Sequence, residues 1–197
     1  MEQSLSKLFV SKQEIVLSSP ILPSSLHKAL LEQECLYTAS DCLIAYNALV
    51  KKWGSDSSVD VPVFWLHSRA ALMGSFTINW CKLFGSDSND RFWKQVTLEQ
   101  KSFRELVYDT TGFNYQEWAD YRKAMTGFRN QVTFHLTPYF DYKDVPDFSA
   151  AFDVLKVTHQ WLRQVAEYLE ESVIGNLANK EYFEKIEVEI ECTVSSC

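Results

Sequence analysis

Asn114-Tyr115-Gln116-Glu117-Trp118 opens the most legible element of the chain. An Asn followed three residues later by Glu has the form of a capping box, in which each side chain accepts a hydrogen bond from the other residue's otherwise orphaned backbone N–H. Phe113 and Trp118 stand on either side at the positions of a hydrophobic staple. Trp118, Tyr121, Met125, Phe128 and Val132 then recur at spacings of three and four residues. That is the stripe of an amphipathic helix with one buried face, and Pro138 is placed to end it.

The same grammar repeats outward. Upstream, Thr97 with Gln100 predicts a second capping box and a helix that Thr110-Thr111-Gly112 stops. Ser86 to Asn89 read as a polar turn able to cap a short helix over 90–96. Pro62 suits a first helical turn, and the helix it opens runs to about Phe84, with Gly85 as its C-terminal cap. Further back, a long first helix is expected over 24–52, with Gly54 beyond its end and a Ser/Asp-rich loop over 54–60. Downstream, Asp147 is the N-cap for a stripe of Phe148, Ala151, Leu155, His159, Leu162, Ala166 and Leu169. His159 reads as a core histidine, and His67 and His27 as structural. There is no internal repeat.

Composition agrees. Six Trp, nine Tyr and thirteen Phe supply large apolar areas, while six Gly and five Pro are too few for a turn-rich all-β fold. The expected organisation is an N-terminal segment (1–23), one helical bundle (24–173) and an acidic tail (174–197). In the tail Ile186, Val188, Ile190, Cys192 and Val194 alternate with Glu187, Glu189, Glu191 and Thr193. The period of two predicts a β-strand, paired with the Glu14-Ile15-Val16-Leu17 stretch or with the tail of a second copy; the alternative is a helical extension fraying into a disordered tail. Five cysteines without ligand spacing read as free or buried thiols. The opening Met1-Glu2-Gln3 has no leader character and no run is long enough to span a bilayer, so a cytoplasmic protein is expected. A formal charge of -7 confines any nucleic-acid contact to a local patch.

One such patch exists. Between Asp120 and His135 the chain carries Arg122, Lys123 and Arg129 against Asp120 alone, which nominates Arg122 and Lys123 as RNA contacts. Within it stands Phe128-Arg129-Asn130-Gln131-Val132-Thr133-Phe134-His135. An Arg can hold a phosphate and stabilise developing charge, a His can move protons near neutral pH, and an Asn can orient either. These are the groups that transesterification of an RNA phosphodiester requires, with the ribose 2′-hydroxyl as nucleophile and no metal or cofactor demanded. On a regular helix Arg129 and His135 fall roughly 120° apart, flanking the apolar stripe. Competing site classes lack their signatures: no Glu-x-x-His pair, no Gly-rich phosphate loop and no Gly-x-Ser-x-Gly elbow.

Arg129-Asn130-x4-His135 resembles the mark of the HEPN superfamily, an Arg followed by a polar residue and, a few positions on, a His near the end of a bundle helix. Asn79-Trp80-Cys81-Lys82-Leu83-Phe84-Gly85-Ser86-Asp87 and Trp93-Lys94 look like the middle of its abortive-infection branch, and the likeness covers about residues 25–170. Many HEPN nucleases have one residue fewer between Arg and His, although the longer spacing also occurs among abortive-infection relatives. The resemblance implies an all-α bundle of four to five helices that forms a homodimer and brings two motifs into one composite ribonuclease site. It implies Arg129 and His135 as the catalytic pair with Asn130 in support. It further implies a toxin or antiphage-defence role, with an antitoxin or defence-system protein as partner; the alternative is a catalytically inactive RNA-binding or interaction subunit. Some HEPN toxins carry a tyrosine soon after the His that a partner nucleotidyltransferase modifies. Tyr139, four residues after His135, is the regulatory candidate on that basis.

Overall fold

The computed structural model describes residues 23–54, 61–85, 100–134 and 145–168, together with 185, 188–190 and 192 of the tail. Among them, besides the helical residues of the tail, are five helices: α1 (Pro23–Trp53), α2 (Val63–Phe84), α3 (Gln100–Thr111), α4 (Tyr115–Phe134) and α5 (Phe148–Tyr168). The all-helical expectation holds. Residues 1–22 of the N-terminal segment, the loop over 55–60, the short helix over 90–96, the Thr97 half of the second capping box and the Pro138 stop lie outside the described residues.

Helix starts follow the local signals. Asn114 Oδ1 accepts from the N–H groups of Gln116 (2.8 Å) and Glu117 (3.0 Å), while Glu117 Oε2 accepts from the Asn114 N–H at 2.8 Å. Both halves of the capping box are therefore made, a feature worth about 1 kcal/mol. Phe113 packs at a tilt on Tyr121, one turn beyond Trp118, at a ring separation of 5.3 Å. Asp147 caps α5, its Oδ1 accepting from the Ser149 N–H at 2.9 Å.

Helix stops use glycine in two ways. Gly54 (φ 76°) and Gly112 (φ 74°) adopt the left-handed conformation and close their helices by donating to Val50 O and Tyr108 O at 2.7 and 2.8 Å. Gly85 remains right-handed at φ −77°, its N–H donating to Cys81 O. A Cβ there would sit 2.6 Å from that same oxygen, so the position needs space and not unusual dihedrals. The buried Arg69 completes the end of α1, its Nη1 donating to Gly54 O at 3.0 Å. This accounts for a charge inside the most apolar helix.

α1 lies along α2 and touches α5, α3 packs on α5, and α2 is covered on its other flank by α4. Apolar side chains from all five helices meet in one core, with Trp80, Phe76, Phe84, Phe103, Met125 and Trp161 at most 1% exposed. Trp80 anchors the α2–α4 contact, its ring 5.0 Å from Phe84, 6.0 Å from Trp118 and 5.8 Å from Tyr121. The two helices run antiparallel. Arg122 Nε donates to Phe84 O, Cys81 Sγ donates to Met125 O at 3.6 Å, and a Cβ on Gly74 would meet Val132 Cγ1 at 3.1 Å. Residue numbers thus fall from 84 to 74 on one helix as they rise from 122 to 132 on the other. The predicted α4 stripe is the buried one: Trp118, Met125, Phe128 and Val132 are at most 3% exposed, and Tyr121 is half-buried.

The predicted tail strand is overturned. Lys185, 188–190 and Cys192 are helical, and no strand occurs among the described residues. In a strand Val188 and Ile190 would share a face; here Val188 is 60% exposed while Ile190 packs on the cluster of Ala48, Leu49 and Trp65. Positions two apart diverge by about 200° on a helix, and Lys185 reaches Glu189 at 3.9 Å with the one-turn spacing of a helical pair. A helix satisfies its own backbone, whereas a lone strand must find a partner.

His159 is a core histidine, its Nε2 3.4 Å from Ser40 Oγ and its ring 5.1 Å from that of Tyr37. Burial holds its pKa down at about 3 against an ordinary 6.5. The fold keeps it neutral while the unfolded chain protonates, so its contribution is whole above pH 6.5 and is lost as pH falls towards 3. His159→Leu is therefore expected to flatten the loss of denaturant stability across that window. An acid slope equal to wild type contradicts the assignment.

A candidate functional site on the fourth helix

Arg122 and Arg129 are seven residues apart on α4, so they share a face to within about 20°. That face borders the buried stripe on the side where α2 lies, and both side chains are half-buried. Asn130 follows about 100° further round, exposed to solvent. The Arg129 side chain folds over to it, Nε and Nη2 both donating to Asn130 Oδ1 at 3.2 and 2.9 Å. The Nε/Nη2 edge of the guanidinium is thereby engaged by Asn130, which holds the plane of the group.

Arg129 also stands close enough to α2 to act on Cys81. Burial pushes that thiol up to about 11, and the guanidinium charge and a hydrogen bond to Thr126 offset part of the rise. Cys81 is thus a neutral, inert wall beside the Arg. Cys35, Cys42 and Cys192 are likewise free thiols.

The two residues nominated as RNA contacts separate. The Arg122 guanidinium binds the Phe84 carbonyl, one of the orphan acceptors at the C-terminal end of α2, where a cation also complements the helix dipole. Lys123 projects into solvent. Their adjacency in sequence carried no hint of this division, since the partner of Arg122 lies 38 residues away. His135 and Tyr139 lie outside the described residues, so the structure brings together Arg129 and Asn130, with Arg122 on the same face. Among the described residues no three His, Cys, Asp or Glu side chains are grouped to hold a metal ion, and no helix is long and apolar enough to cross a membrane.

No protein-family model matches the chain, and no match is found among curated proteins or solved structures.

The latch role of Arg122 is separable from the rest of the patch. Arg122→Ala should cost about 2 kcal/mol of unfolding free energy, the scale of a partly buried charged hydrogen bond. Lys123→Ala, at an exposed position, should stay within about 0.5 kcal/mol of wild type. Equal effects in urea titrations of the two variants contradict this division.

Proposed function

We propose that the chain is a metal-independent endoribonuclease of toxin or abortive-infection type, acting in the cytoplasm as a HEPN-like homodimer. The observation that carries the reading is the Arg129 guanidinium clasped by Asn130 at a half-buried seam of an otherwise acidic protein. The sequence adds His135 to that pair.

In this mechanism the ribose 2′-oxygen attacks the adjacent phosphorus while His135 accepts the hydroxyl proton. Arg129 neutralises the charge that accumulates on the phosphoryl oxygens, and Asn130 keeps the guanidinium in plane. The bond to the 5′-oxygen breaks as that oxygen takes up a proton, leaving a 2′,3′-cyclic phosphate and a 5′-hydroxyl. A dimer supplies a second His135 for the opposite proton transfer. That arrangement removes any need for Arg129 and His135 of one chain to act on the same phosphate.

Purified Arg129→Ala and His135→Ala should each lower the rate of RNA cleavage by about a hundredfold or more, with circular dichroism unchanged. Wild type should cleave undiminished in EDTA. Cleavage retained by either folded variant overturns the reading. RNA binding without turnover by wild type would instead mark an inactive binding subunit.

A further inference from the structure

The chain holds 26 acidic residues against 19 basic, yet the 22 residues of α2 include no Asp or Glu. On the helical wheel Phe64, His67, Ala71, Ile78 and Lys82 fall within about 60° of one another and form the outer face of α2. Phe64 is 67% exposed, His67 and Ala71 are exposed, and Ile78 and Lys82 are half-buried. Gly74 and Cys81, which touch α4, border this strip on one side. Trp65 and Leu72, which line a groove with Ala45 and Leu49 of α1, border it on the other.

The antiparallel register then fixes what lies at each end. Four residues beyond the Cys81–Met125 contact, Arg129 falls level with position 77 or 78 of α2, beside the strip. Phe64 lies about 20 Å further along the same helix. There its ring meets Trp65 edge-on at 4.7 Å, Trp65 stacks on Trp53 at 5.0 Å, and Lys52 Nζ stands 4.5 Å over the Trp53 ring. Lys51 and Lys52 form the last basic turn of α1. Glu189 of the tail lines that groove with Trp65, Ser68 and Leu72.

We infer that the outer face of α2 is a track for single-stranded RNA, running from Arg129 to a base-stacking platform at Phe64. The inference rests on the RNA reading and extends it by naming where the strand lies beyond the scissile bond. A polyanion favours a surface poor in carboxylates, and α2 contributes none to this strip. Unpaired bases need exposed rings to stack on and cations nearby, and the far end supplies both. Double-stranded RNA offers no free base to Phe64, so the track selects single strands.

The test is fluorescence anisotropy with a fluorescein-labelled 2′-O-methyl oligouridylate, which lacks the attacking hydroxyl and so reports binding alone. Phe64→Ala removes an exposed ring and should weaken binding about tenfold. Ala71→Glu places a carboxylate in mid-track and should weaken it as well. Ala124→Glu, the same change at an exposed position about 140° round α4 from Arg129, should leave affinity at the wild-type value. Wild-type affinity in either Phe64→Ala or Ala71→Glu overturns the track and turns the exposed ring into a protein-docking residue, while wild-type cleavage would keep the ribonuclease reading standing. Wild-type protein that neither binds nor cleaves RNA overturns both.

Discussion

The packing of α4 against α2 around Trp80 is the contact on which the rest depends. Trp80 is fully buried, and three aromatic rings from the two helices surround it within about the distance at which edge-to-face pairing is favourable. Truncation of such a side chain costs about 3–5 kcal/mol, a large part of what holds a domain of this size together. Its Nε1 is buried without a hydrogen-bond partner among the described residues, so the ring packing must also outweigh a desolvation cost. What this contact sets is register. With Arg122 on Phe84, Met125 beside Cys81 and Val132 against Gly74, only one face of α4 can reach over the outer flank of α2, and Arg129 is on it.

Gly74 shows how narrow that setting is. A methyl group there would stand 3.1 Å from Val132 Cγ1, so the helices approach as closely as they do because the position has no side chain. Two groups that could titrate near neutral pH are meanwhile kept uncharged by burial, the Cys81 thiol on this seam and His159 between α1 and α5. Arg122 and Arg129 stand along the same seam.

The parts of this arrangement that could be read from the sequence are the parts whose physics is local. The Asn114–Glu117 box, the Asp147 cap and the left-handed Gly54 and Gly112 each act within a few residues, so pattern and structure coincide. The α4 stripe is legible because burial follows the helical period. The tail is ambiguous in sequence, because alternate apolar residues imply a strand only when a partner strand exists, whereas Ile190 needs one apolar cluster and the helical alternative is the one observed at the described positions. The Arg129–Asn130 pair is adjacent in sequence, but neighbouring residues on a helix do not normally face each other, and the contact exists because a long Arg side chain can fold back. The latch made by Arg122 and the alignment of Arg129 with the acid-free face of α2 both depend on packing between distant segments, which no local pattern encodes.

Cleavage of RNA at this seam by 2′-hydroxyl attack would leave a chemical signature independent of any assumed substrate. Sequencing of RNA termini bearing 2′,3′-cyclic phosphates, from cells induced for the wild-type chain and for His135→Ala, tests it most directly. New cyclic-phosphate ends, at recurrent positions, are expected in the wild-type sample alone. Identical ends in the two samples, with both proteins folded and accumulated to equal levels, would contradict it.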